Sequence, residues 1–114
     1  MDRSKILRLL GEILEVDYDA FNKSRILNLI NSSELAELLD ANIDIELHTH
    51  RHSLPENEES ACYEIEKNAA KINPLLPKTM THFCYPSGLW NKEHWPALEK
   101  NNIKTATTCE PKLI

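Results

Sequence analysis

Three of the chain's five histidines fall within five residues, in the stretch Glu46-Leu47-His48-Thr49-His50-Arg51-His52. Neutral imidazole is a common ligand for zinc and similar ions. The segment just before, Ile43-Asp44-Ile45-Glu46-Leu47, alternates apolar and polar residues, the period of a half-buried strand. His48 therefore falls at or just past a strand's C-terminal end, where α/β folds bind their ligands. If the chain turns back there, His48 and His52 can reach one ion. If the strand runs on, His48, His50 and His52 share a face. Either geometry builds a candidate metal site, and the alternation does not choose between them.

A second stretch carries chemistry of a different kind. Thr81-His82-Phe83-Cys84-Tyr85 is rich in strand-forming types and runs into the turn signal Pro86-Ser87-Gly88. A turn of this kind can present a backbone N–H to a ligand, as an oxyanion donor must. The Ser87 hydroxyl is no candidate nucleophile, because it does not sit in a G-x-S-x-G elbow. Both stretches end strands, so they could share one mouth.

Two histidines do not complete a catalytic zinc site, which usually has three protein ligands and a water. No two aspartates are adjacent anywhere in the chain. Glu46 falls on the strand face of His48, either as its hydrogen-bonding partner or as an acid paired elsewhere. His82 and His94 stand alone and are expected to be structural or exposed. Cys62, Cys84 and Cys109 have no metal-knuckle spacing and are expected to be buried, reduced thiols. With only Gly11 and Gly88, the chain has no phosphate-cradling glycine loop.

The elements that must position these residues follow from periodicity. Residues 4–16 carry Ile6, Leu7, Leu9, Leu10, Ile13 and Leu14 at helical spacing, with Ser4 as the expected N-cap. Asp17 and Asp19 are read as solvated loop acids. Asn31 and Glu34 form a capping-box pattern before Leu35, Leu38 and Leu39. Asn42 suits a helix C-terminus, since it tolerates the left-handed conformation. Glu56, Glu58 and Glu59 open the next helix and Lys67 and Lys71 close it, as the helix dipole favours. Cys62, Ile65, Ala69 and Ile72 form its buried stripe. Asn91 is expected to cap a last helix carrying Trp95 and Leu98, with Pro96 restricted to its first turn or a kink. Residues 103–108 read as a further strand. Leu38–Ile43 and Leu98–Ile103 share one phrase, a helix, an Asn stop and an Ile-led strand.

The expected architecture is α/β, with about three parallel strands alternating with helices and a helical segment in front. Residues 1–30 form the helical lead-in, and residues 31–110 an αβαβαβ segment bearing the histidines and the Pro-Ser-Gly turn. The 114 residues suit one small domain. A net charge of -5 gives no basic face for nucleic acid. No apolar run approaches the roughly 20 residues that span a bilayer. Met1–Lys5 leads into an amphipathic pattern and not a signal-peptide core, so a cytoplasmic location is expected.

Taken together, the two stretches resemble the polysaccharide deacetylase family, metal-dependent carbohydrate esterases with a NodB-type domain. His48-Thr49-His50-Arg51-His52 looks like the family's His-Ser/Thr-x-x-His motif, and Phe83–Gly88 looks like its aromatic strand ending in a Pro turn. The resemblance runs from about Asn31 to Cys109. It implies His48 and His52 as ligands of a divalent metal (zinc first, with cobalt, nickel or manganese as alternatives), and Thr49 as a brace of the loop. It implies the backbone N–H of Ser87 as an oxyanion donor, with Tyr85 and Pro86 beside the substrate, an acetylated carbohydrate. The implied fold is a distorted (β/α) barrel, of which this chain would supply part. The family's adjacent aspartates, a catalytic base and a metal ligand, have no counterpart here, and Cys84 stands where an arginine is common. The motifs with the general-acid histidine would follow Ile114. The resemblance thus implies an internal portion of a longer deacetylase, inactive by itself.

Two other readings remain open. His48-Thr49-His50 is also an H-x-H, as on the first barrel strand of amidohydrolase and phosphoesterase-type metal enzymes. The histidines could also hold a structural metal in a non-catalytic module, although closed structural zinc sites favour four ligands, often cysteines.

Overall fold

The computed structural model describes residues 2–111. They divide into two compact units, with the boundary between Asn31 and Ser32.

The first unit holds two helices, α1 (Arg3–Ile13) and α2 (Tyr18–Ser24). The N-cap of α1 is Asp2, whose carboxylate accepts from the Ser4 N–H, so the helix begins before the expected Ser4 cap. Asp17 and Asp19 are more than loop acids. Asp17 caps α2 by accepting from the Ala20 N–H at 2.9 Å, and Asp19 accepts from the Arg8 guanidinium at 3.0 Å. Gly11 sits where α2 departs. A Cβ there would lie 2.9 Å from the Val16 carbonyl oxygen and 3.0 Å from the Tyr18 Cβ, closer than packed atoms tolerate. The helix gives up about 1 kcal/mol of propensity relative to Ala at that position, and α2 gains its close approach.

The second unit opens with α3 (Ser32–Asp40) and continues through α4 (Glu58–Ile72), β1 (His82–Cys84), α5 (Trp95–Lys100) and β2 (Thr105–Thr107). Helix α4 has Asn57 as N-cap, Glu58 and Glu59 in its first turn and Lys71 in its last, the charge order its dipole favours. The short turn Lys92–His94 leads into α5, with Asn91 capping it and Pro96 in the first turn of the helix. The repeated Leu-to-Ile phrase folds the same way twice. Asn42 (φ 64°) and Asn102 (φ 58°) are both left-handed. The N–H of the Ile that follows returns to the Leu carbonyl in each case, Ile43 to Leu38 and Ile103 to Leu98, both at 3.0 Å. These bonds satisfy carbonyls that a helix end otherwise leaves without partners.

Strands β1 and β2 pair in parallel, with Phe83 opposite Ala106. The first expected strand, residues 43–47, contracts to one parallel bridge between Leu47 and Phe83. The cause is Glu46. Its carboxylate accepts the Thr81 and His82 N–H groups, both at 3.0 Å, so a side chain takes the place of a backbone ladder there. Of the three expected strands, two form among the described residues, and the first is reduced to that bridge. The core lies between this small sheet and helices α4 and α5. It is built from Leu47, Ala61, Cys62, Ile65, Met80, Phe83, Tyr85, Ala97 and Leu98. Cys62 is buried as expected. Cys84 and Cys109 are exposed, against expectation, because Cys84 alternates with the inward Phe83 and Cys109 follows the end of β2.

Candidate metal centre

Leu47 is nearly inaccessible and anchors the chain beside Phe83, so His48 emerges at the C-terminal edge of the sheet. Beyond it the chain turns back. Thr49 (φ 69°) and His52 (φ 56°) are both left-handed, although neither is glycine. This reversal brings the imidazoles of His48 and His52 edge to face, with ring centroids 4.8 Å apart. His50 is exposed and takes no part in this ring pair. Of the two geometries open in the sequence, the turned-back one is the geometry adopted. The Thr49 hydroxyl is buried and accepts the Ser53 N–H at 3.1 Å, closing the turn from inside.

The orientation of His48 comes from β1. Its Nδ1 lies 2.7 Å from the Cys84 carbonyl oxygen. A carbonyl only accepts, so Nδ1 carries the proton and donates. Nε2 is then left with a free lone pair, the state in which imidazole binds a metal. Of the two roles open to Glu46, the structure has the second: its carboxylate is paired elsewhere, with the Thr81 and His82 N–H groups.

Helix α4 supplies the rest of the support. Asn68 Oδ1 accepts the His48 N–H at 3.0 Å, and the Glu64 backbone carbonyl accepts the His50 N–H at 3.2 Å. The Glu64 carboxylate accepts the Arg51 N–H at 3.0 Å and the Arg51 Nε–H at 2.7 Å. Burial pushes the Glu64 carboxyl up, but the Arg51 hydrogen bonds outweigh it and hold the group below the usual carboxylate range. Sequence reasoning missed Glu64 and Asn68. The signal was present, since both are polar residues one turn apart on the α4 face that also carries Ala61, Cys62 and Ile65.

The Pro-Ser-Gly turn follows β1 directly. The Tyr85 N–H donates to the Thr107 carbonyl at 3.0 Å and extends the parallel pairing by one step. Pro86, Ser87 and Gly88 form one tight turn, with Ser87 (φ 55°) and Gly88 (φ 67°) both left-handed. Ser87 is exposed. Tyr85 and Pro86 are buried, and the Tyr85 ring packs against Phe83 and His94. His94 is structural. Its Nδ1 accepts the Asn91 N–H at 3.2 Å and closes a capping box, and burial lowers its pKa. His82 bonds the Thr105 and Thr107 hydroxyls across the sheet.

These residues fit a metal as two ligands of a larger set. His48 has an oriented ring with one free nitrogen, and the His52 ring stands beside it. Among the described residues, no group of three or more His, Cys, Asp or Glu side chains is placed to hold an ion.

Comparison with known proteins covers these residues and also part of the helical segment before Asn31. Residues 16–106 match the family model for polysaccharide deacetylases. The chain is 30% identical over 99 residues to a poly-beta-1,6-N-acetyl-D-glucosamine N-deacetylase of Staphylococcus epidermidis, a match over 77% of this chain and 34% of that protein. The chain therefore spans about a third of that relative's length. A crystal structure of a mutant CE4-family pseudoenzyme shares the fold, with a TM-score of 0.61 at 18% identity, over 68% of this chain and 29% of the other.

Proposed function

The chain belongs to the polysaccharide deacetylase family, and from that premise we propose that it forms the metal-binding portion of an enzyme that hydrolyses acetyl groups on a carbohydrate. The observation that carries this reading is the His48–Cys84 hydrogen bond with the His52 ring 4.8 Å from that of His48. It ties the two stretches that bear the family's motifs into one site at the sheet's C-terminal edge.

In this reading His48 Nε2 and the His52 imidazole are two ligands of a divalent metal, with zinc the first choice. Such a metal polarises an acyl carbonyl and lowers the pKa of a bound water. Ser87 is exposed, and its backbone N–H is the proposed donor to the oxygen of the acetyl carbonyl as negative charge develops there. Tyr85 and Pro86 are buried, so their part is to form the wall behind the acetyl group and not to make a polar contact. The overall reaction takes an N-acetyl amide and water to acetate and a free amine. The activity in the relative's name narrows the proposed substrate to a polymer of N-acetylated glucosamine.

The chain has no adjacent aspartates, so the base and the third ligand come from outside it. The chain alone is therefore expected to bind zinc weakly and to release no acetate. The test is calorimetric titration of zinc and cobalt, beside a His48→Ala/His52→Ala variant, together with an acetate assay on N-acetylglucosamine oligomers. Weak binding lost in the variant supports the reading. Robust acetate release by the chain alone, or binding unchanged in the variant, overturns it. Tight, folding-coupled binding lost in the variant would instead mark a self-sufficient metal module.

A further inference from the structure

The strongest feature that the proposed chemistry leaves unused is a buried acid. Glu64 is 1% exposed, on a helix face otherwise given to packing. A carboxylate without partners in such a place costs several kcal/mol. An apolar residue would fill the position without that cost. The geometry points to Glu64 as a positioning residue that, with Arg51, holds the His48–His52 turn in the shape that brings the two imidazoles together. This deepens the proposed function and rests on its assignment of His48 and His52 as ligands.

Three N–H groups within four residues of the turn end on one turn of α4. His48 N–H goes to Asn68 Oδ1, His50 N–H to the Glu64 carbonyl, and Arg51 N–H to Glu64 Oε2. The Arg51 side chain then folds back, and its guanidinium pairs with Glu64 Oε1. Both carboxylate oxygens are thereby spent on one residue of the loop. The turn needs such holding. Thr49 and His52 are both left-handed, a region that is unfavourable for any residue other than glycine. Thr49 is β-branched, which makes its position the more unusual. Released from α4, the turn has every reason to relax toward extended backbone. That would send His48 and His52 apart, since four residues of extended chain at a rise of about 3.3 Å each span roughly 13 Å.

The hydrogen bonds of Glu64 to this turn go to its backbone and to Arg51, so its action is through the backbone between the two histidines. Partners of this indirect kind typically cost 10–100-fold in metal affinity when removed.

The test compares the full chain with Glu64→Leu and Arg51→Ala. Leu keeps the core filled. Arg51 is 69% exposed in its side chain, and its backbone N–H still reaches Glu64 Oε2 after truncation, so Arg51→Ala is the milder variant and gives a second test should Glu64→Leu not fold. The first readout needs no metal. The ring-proton cross-peaks between His48 and His52, and slow amide exchange at His50 and Arg51, are followed by NMR. The second is zinc titration. The expected result is loss of the cross-peaks and of amide protection in folded Glu64→Leu, a weaker form of both in Arg51→Ala, and zinc affinity lowered roughly tenfold or more. Intact cross-peaks and protection in folded variants, with only the melting temperature lowered, would overturn the inference. If the parent chain shows the cross-peaks, Arg51→Ala loses them, and neither binds zinc, the positioning role stands and the metal-ligand reading fails.

Discussion

His48 Nδ1 donates to the carbonyl oxygen of Cys84 across 2.7 Å, joining two stretches that lie 36 residues apart in the chain. The bond fixes the ring's tautomer and its direction at once. It also explains why a cysteine serves at position 84, since only its backbone is asked to act. The His52 ring then needs only the left-handed turn to arrive beside the free Nε2.

The tautomer can be read directly. The His48 ring is expected to carry its proton on Nδ1, whereas a free neutral imidazole favours Nε2. Long-range nitrogen–proton correlation at pH 8 distinguishes the two. A His48 ring protonated on Nε2 would mean that the bond to Cys84 does not form in solution.

The two outer histidines of the cluster are expected to differ from the middle one in metal binding. His52→Ala should lower zinc or cobalt affinity by at least tenfold, the scale on which even indirect partners act. His50→Ala should leave it within a few-fold, because the His50 ring is exposed and takes no part in the His48–His52 pair. Titration of both variants against the parent checks this. The reverse order would favour the H-x-H reading.

Stability should fall as the pH drops below about 6.5, and His94 is one cause. Burial lowers the pKa of His94 in the folded chain, while in the unfolded chain it lies near 6.5. Below 6.5 the unfolded state binds the proton first, so protonation favours unfolding. The loss grows as the pH falls toward the folded pKa and then levels off. Above 6.5 this contribution is fully present. Urea melts between pH 5.5 and 8 should show the slope in the parent and a shallower one in His94→Gln. Equal slopes would remove His94 from the account.

Gly88 is expected to tolerate no side chain. Its φ is 67°, and a Cβ would lie 2.5 Å from both Cβ and Sγ of Cys109. Gly88→Ala should therefore destabilise by about 1–2 kcal/mol for the backbone alone, with the clash added. Cys109→Gly should recover the part due to the Cys109 side chain and leave the rest. Thermal melts of the single and double variants separate the two contributions.

Removing the Asn68 carboxamide should leave the His48 N–H without its partner in a part-buried place. Asn68→Ala is expected to cost about 1–3 kcal/mol. The same variant should weaken zinc binding, since the His48 backbone is then held on one side only. A melt unchanged within 0.5 kcal/mol, the usual surface value, would show that water takes over the bond.

Much of the frame was legible because it rests on local rules. The acid-to-base order of α4 follows from the helix dipole, and its ends fell where those charges indicated. Asn42 and Asn102 stop their helices because Asn tolerates the left-handed region, a property of the residue itself. The parallel pairing of the two later strands followed from the alternation of elements. The contraction of the first strand did not. Nothing local in Ile43–Leu47 says that the Glu46 side chain will occupy the backbone donors of Thr81 and His82. The exposure of Cys84 and Cys109 was missed for a related reason. A cysteine's preference for the interior is a tendency of the type, and the direction of each side chain is set by strand register.

The sequence by itself determined which residues are available for chemistry at the end of the first strand, and that the Pro-Ser-Gly turn ends the second. It also determined the family, because the motif residues and their order are one-dimensional facts. Only the tertiary structure decided that His48 faces His52 and not His50, that Cys84 orients the ring, and that Glu64 and Asn68 of α4 hold the turn. Apart from the His48–His52 pair, those relations join residues 13 to 36 positions apart. Hydrogen bonds of that span depend on how the elements pack, and packing energies are summed over the whole core before any one of them can form.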